Sequence, residues 1–138
     1  MDRQAEILLQ AAKDAMEKAY APYSSFKVGA AVLTEDGRIF GGCNIENASY
    51  GATICAERTA IFNAVSCGYR KIVKIAVVCS SGHYAYPCGI CRQVMSEFMD
   101  GTSKESLIIL EDCEKGILEM NINEMLPYAF SGKDIENG

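Results

Sequence analysis

Apolar side chains at Ile7, Leu8, Ala11, Ala12, Ala15, Met16 and Ala19 recur at helical spacing, so residues 5 to 19 read as an amphipathic helix that Pro22 ends. The chain then turns mostly apolar from Val28 to Leu33. Asp36-Gly37 marks a turn, and Arg38 to Cys43 reads as the return strand of a hairpin. Residues 44 to 54, with Asn44, Asn47, Ser49 and Gly51, read as a loop. Helical spacing returns over residues 56 to 66 at Ile61, Phe62 and Val65, with Gly68 placed to cap the C-terminus. Ile72 to Cys79 is a β-branched run, apolar apart from Lys74, the pattern of a buried strand. A loop over Ser80 to Pro87, a helix over Gly89 to Met99, a buried strand over Ser106 to Leu110 and a short strand over Gly116 to Met120 follow. A helical turn precedes Pro127, and the polar tail Ser131 to Gly138 reads as disordered.

The order is helix, hairpin, then helix and strand in alternation. It predicts an α/β fold with a mixed β-sheet of about five strands and helices on both faces. The 138 residues fit one domain spanning 1–138. Loops at the ends of buried strands are the expected place for a site in such a sheet.

Composition narrows the class of protein. Apolar residues make up 49% and charged residues 22%, as in ordinary globular domains. No apolar run approaches the roughly 20 residues that a membrane span needs. Met1-Asp2-Arg3-Gln4 opens no signal-peptide core, so a cytoplasmic protein is expected. The net charge is −5, with 13 basic residues scattered along the chain and outnumbered by 18 acids. That balance disfavours DNA or RNA partners, which call for a basic stripe, and suits a small neutral substrate. Seven cysteines is an odd number, and in a reducing compartment they point to metal ligation, catalysis or burial rather than disulfides.

Two short motifs concentrate the chemistry: Cys55-Ala56-Glu57 and Pro87-Cys88-Gly89-Ile90-Cys91. Three thiolates can hold one Zn²⁺ tetrahedrally and leave the fourth position open, as catalytic zinc sites do and closed structural ones do not. Both motifs fall where a loop enters a helix N-terminus, which favours negative charge and lowers thiol pKa. Glu57 is then placed to move a proton from a metal-activated water. Three thiolates on one Zn²⁺ leave a charge of about −1, which hydrogen bonds from Arg58 or Arg92 to the sulfurs would temper; Arg58, beside Glu57, is the stronger candidate. Cys43, Cys67, Cys79 and Cys113 read as core or incidental thiols. A closed structural site would need a fourth ligand, for which Cys79 and His83 are the candidates.

These motifs resemble the zinc deaminase signature in its all-cysteine form. Longer segments resemble the short cytidine deaminases: Ala21-Pro22-Tyr23-Ser24-Ser25-Phe26-Lys27-Val28-Gly29-Ala30-Ala31, Gly42-Cys43-Asn44-Ile45-Glu46-Asn47-Ala48-Ser49-Tyr50, Cys91-Arg92-Gln93-Val94 and Leu126-Pro127-Tyr128-Ala129-Phe130. The resemblance implies a three-layer sandwich and hydrolytic deamination of cytidine and 2′-deoxycytidine to the uridines. It implies one zinc per chain on Cys55, Cys88 and Cys91, with Glu57 as proton shuttle. It also implies substrate contacts from Phe26, Asn44, Ile45, Glu46, the backbone N–H of Ala56, Tyr50 and Phe130, and a homotetramer whose active sites borrow residues such as Tyr50 and Phe130. From the residues alone, Asn44 is a turn former, Glu46 a solvated acid and Phe26 ordinary core. Competing readings are a deaminase of blasticidin, guanine or deoxycytidylate, and a deaminase of tRNA or single-stranded DNA, which the acidic charge disfavours.

Overall fold

The computed structural model describes residues 2–137. Helix α1 runs Arg3–Met16, strand β1 Val28–Thr34, strand β2 Ile39–Cys43, helix α2 Ala56–Ser66 and strand β3 Ile72–Cys79. Helix α3 (Gly89–Phe98), strands β4 (Leu107–Asp112) and β5 (Gly116–Met120), and two short helices, α4 (Ile122–Met125) and α5 (Gly132–Asn137), complete the order.

The five strands form one sheet in the order β2-β1-β3-β4-β5. The β1–β2 hairpin turns through Gly37, whose φ of 87° suits glycine alone at low cost. β1 also pairs antiparallel with β3, and β4 with β5. β3 and β4 are parallel, pairing Ile75 with Ile108 and Val77 with Leu110. Parallel neighbours need a crossover, and α3 supplies it. The sheet is therefore mixed, with helices on both faces, as the alternating pattern predicts.

Side-chain alternation along the central strands divides the core. On one face Leu8, Leu9 and Ala12 of α1 pack on Ala31, Leu33, Ala76, Val78 and Ile109. On the other, α2, α3 and α4 cover Ala30, Val32, Ile75, Val77, Ile108 and Leu110. Burying a Leu, Ile or Val side chain fully contributes about 1.5–3 kcal/mol. Because β1, β3 and β4 are covered on both faces, they read as continuous apolar runs.

Two expectations need correction. α1 stops at Met16 rather than residue 19, because Lys18 N and Ala19 N bond back to Ala15 O and Met16 O in tight turns and Tyr20 is drawn into a parallel bridge with Ile45. The tail expected to be disordered forms α5, opened by Asp134, whose carboxylate accepts from Ser131 N at 2.8 Å. Gly138 lies outside the described residues.

The seat of α2 depends on one small residue. A Cβ on Gly42 would stand 2.3 Å from Ala60 N and 2.8 Å from Ala60 Cα. Gly42→Ala is therefore expected to push α2 off β2 and to lower stability by about 1–3 kcal/mol, the range for overpacking. Chemical denaturation checks this; an unchanged midpoint would contradict the close packing.

Candidate active site

Both metal motifs sit at helix N-termini. Cys55 is the N-cap of α2 and Cys88 the N-cap of α3, both with extended backbone (φ −77°, ψ 153° and φ −69°, ψ 169°) and neither with a side-chain capping bond. Their thiols are thus free to face outward from the helix ends rather than to cap them. Cys91 lies in the first turn of α3 and is buried, whereas Cys88 is exposed and Cys55 intermediate.

The three sulfurs form one group, all within 4.8 Å of one another, and no fourth His, Cys, Asp or Glu joins it among the described residues. Cys55 Sγ and Cys88 Sγ are 3.6 Å apart. That is far beyond a disulfide bond but close to the edge of a tetrahedron with Zn–S bonds of about 2.3 Å, which is about 3.8 Å. The donor set fits zinc: the three thiols are positioned to hold one ion, with one side open through the exposed Cys88. A closed four-ligand centre finds no support. His83 Nδ1 instead meets Asp112 at 3.1 Å, and Cys79 Sγ pairs with Ser81 Oγ and His83 O.

Electrostatics orders the thiols. A hydrogen bond with Cys91, helped by Arg58 and Cys88 and opposed by burial, brings Cys55 down to about 5. The same pairing, together with burial, pushes Cys91 up. Arg58 Nη2 donates to Cys55 Sγ at 3.4 Å, and its guanidinium is held more firmly charged by Cys55 and Cys91. Arg58 Nε is buried and has no partner among the described residues.

Glu57, in the first turn of α2, is only 5% exposed. Burial pushes its carboxyl up to about 7, and the charge on Cys55 adds to the effect. It is therefore no solvated surface acid. Ala56 is fully buried at the start of α2, where the leading N–H groups of a helix lack carbonyl partners in their own helix.

The sequence profile described as the cytidine and deoxycytidylate deaminase zinc-binding region matches residues 2–104. The chain belongs to the cytidine deaminase family. It is 48% identical over 137 residues to a cytidine deaminase of Halalkalibacterium halodurans, covering 99% of this chain and 100% of that one. A cytidine deaminase of Sporosarcina psychrophila is 48% identical, with 94% and 93% covered. Among solved structures, the cytidine deaminase of Burkholderia pseudomallei superposes with a TM-score of 0.83 at 48% identity, covering 94% of this chain and all of that one. The cytidine deaminase fold is therefore shared along nearly the whole chain.

The remaining residues singled out in the sequence occupy varied settings. Asn44 is buried: its Oδ1 accepts from Val28 N at 2.9 Å and its Nδ2 donates to Phe26 O at 2.8 Å. It ties the segment around Phe26 to the end of β2 and is more than a turn former. Ile45 lies half outside and bridges both Tyr20 and Ile54. Glu46 accepts from Tyr23 N, Ser24 N and Ser24 Oγ, and these bonds, the Ser24 hydroxyl foremost, lower its pKa. Phe26, Tyr50 and Phe130 are exposed rather than core. Tyr50 packs edge-on against Tyr23 at 6.2 Å. A cavity of about 350 Å³ lies among Tyr23, Ser24, Glu46, Asn47, Tyr50 and Thr53.

Arg92 differs from expectation. Its Nε donates to Pro87 O at 2.7 Å and its Nη1 to Met125 O at 2.8 Å. It clamps the segment before Cys88 to α4, and its hydrogen bonds go to carbonyls instead of to sulfur. Three contributors escaped the sequence reading: Ser24 and Thr53, which fix the loop through Glu46 and Asn47, and Gln93, whose Nε2 donates to Phe130 O at 2.9 Å. The signal for Gln93 was its place in the Cys91-Arg92-Gln93 segment and that for Ser24 its place in the Ala21 to Ala31 segment; Thr53 gave none.

Arg58→Ala removes the cation facing the sulfurs. Zinc affinity, measured by competition with a chelator, is expected to change by about 10–100-fold, the range for groups that orient metal ligands. Unchanged retention would mean that the Arg58–Cys55 contact is incidental.

Proposed function

We propose that the chain, as a single domain spanning 1–138, is a zinc-dependent cytidine deaminase that hydrolyses cytidine and 2′-deoxycytidine to uridine and 2′-deoxyuridine with release of ammonia. The observation that carries this reading is a three-thiol group, joined by no fourth ligand among the described residues, with a buried carboxylate two residues from Cys55. Full-length identity of 48% to a curated cytidine deaminase supports the same reaction.

Zinc held by Cys55, Cys88 and Cys91 supplies Lewis acidity that makes water nucleophilic near neutral pH. Glu57 accepts the proton of the water that attacks C4 of the base and delivers it to ring N3. It then takes the proton of the new C4 hydroxyl and gives it to the amine, so that the C4–N bond breaks and ammonia leaves as the C4 carbonyl forms; one carboxyl serves both halves of the reaction. The Ala56 N–H donates to the pyrimidine O2 at the start of α2, where a donor without a carbonyl partner is available. Phe26 lies against the base. Asn44 and Glu46 meet the sugar, with Ile45 between them. Arg58 tempers the charge of the thiolates, while Arg92 holds the backbone before Cys88 and α4 in place.

The acidic charge of the chain, without a basic cluster, favours a nucleoside over its phosphate. No helix among the described residues is long and apolar enough to cross a membrane. The proposed role is that of a cytoplasmic salvage enzyme without nucleic acid or membrane partners; the acidic charge speaks against nucleic acid.

The assembly proposed is a homotetramer with shared active sites. Tyr50, Ile90, Tyr128 and Phe130 all stand exposed, large apolar groups that a neighbouring copy would cover. Tyr50 and Phe130 are the residues assigned to a neighbour's pocket.

Two measurements test the proposal. Glu57→Gln is expected to lower kcat on cytidine by about 10²–10⁴-fold, the range for a lost proton carrier, with one zinc per chain retained. Surviving turnover would exclude Glu57 from the chemistry. Light scattering of the wild type is expected to give the mass of four chains, and Phe130→Ala to raise KM more than it lowers kcat; a monomer of full activity would contradict the shared site.

A further inference from the structure

A second group of metal-ligating side chains lies outside the thiol centre. His83, Asp112 and Cys113 each offer one ligand atom, and these atoms all lie within 4.8 Å of one another. His83 is the chain's one histidine and belongs to the loop after β3. Asp112 ends β4, and Cys113 begins the turn into β5.

The backbone holds these two segments together. Cys113 N donates to Gly82 O at 2.7 Å. Asp112 has a side chain only 4% exposed, and its Oδ1 accepts from Glu114 N at 2.8 Å and Lys115 N at 2.9 Å. The carboxylate is thereby fixed, and Oδ2 is left facing His83 Nδ1 at 3.1 Å. Cys113 Sγ is turned toward the same loop: a Cβ on Gly82 would stand 3.3 Å from it. An imidazole, a carboxylate and a thiol thus face one another from anchored backbone.

We propose that His83, Asp112 and Cys113 form a peripheral binding site for a divalent cation of the zinc class. Tetrahedral zinc with bonds of about 2.0–2.1 Å to nitrogen and oxygen separates those two atoms by about 3.3 Å, so His83 and Asp112 already stand near ligand spacing. The Cys113 thiol lies within 4.8 Å of both, on a turn that the Gly82 bond holds in place. The mixed N, O and S donors match borderline zinc better than magnesium or calcium, which prefer oxygen alone. The side chain of His83 is 61% exposed, which gives an ion access from solvent and leaves room for water in the fourth position. Three thiolates are the softer set, so the Cys55 centre fills first and the peripheral site second. An ion there ties the β4–β5 turn to the loop that leads into Pro87 and Cys88. The site is independent of the proposed reaction, since none of its residues belongs to the catalytic machinery.

The experiment is isothermal titration of Zn²⁺ into protein that already holds one zinc per chain, for the wild type, His83→Ala and Cys113→Ser. The wild type is expected to take up one further ion per chain, and each variant to lose that uptake or weaken it at least tenfold. Both variants are expected to keep their first zinc and their turnover of cytidine, which shows that they are folded. Absence of a second uptake by the wild type overturns the proposal, as does undiminished uptake by either variant.

Discussion

Two helix N-termini converge on three cysteine sulfurs, and much of the fold serves to hold them there. α3 points at the site because it is the crossover between the parallel strands β3 and β4. α2 points at it because Gly42 lets the helix lie directly on β2. With Cys55 and Cys88 as N-caps, the positive ends of both helices face the thiols and favour their ionised form. Arg58 adds a full charge from the same helix as Cys55.

Crowding sets the electrostatics of this centre. Sulfurs within 4.8 Å of one another resist ionising together. Glu57 is strained in the same sense: a carboxyl this buried resists ionisation. Groups of this kind are costly to bury unless they are paired. Their presence together on the first turns of two helices is what a divalent ion resolves, and it leaves a carboxyl able to take up and release a proton beside the open side.

The layers of the fold were legible because burial on both faces writes itself as long apolar runs. β3 over Ile72–Cys79 and α2 over Ala56–Ser66 appear where periodicity and composition place them. Short polar elements were not. α5 consists of six mostly polar residues, and its start depends on Asp134 reaching back to Ser131, a bond that no periodicity reveals. At the site, the Cys55-Ala56-Glu57 and Pro87-Cys88-Gly89-Ile90-Cys91 spacing sufficed to foresee that the thiols would meet, because helix starts fix where such side chains point. The settings of Arg92 and Asn44 depend on backbone carbonyls and amides distant in sequence, which residue type alone does not encode. His83 was weighed only as a ligand for the thiol centre; its pairing with Asp112 follows from the placement of β4 beside β3.

Three thiols and one ion form the working centre of this enzyme. Titrating metal-stripped protein with Co²⁺, while following sulfur-to-cobalt charge-transfer absorption and cytidine deamination together, puts this to the test. Both signals are expected to rise in parallel, with turnover reaching its plateau at the first ion per chain. Turnover in the stripped protein, or turnover restored without a thiolate signal, would contradict it.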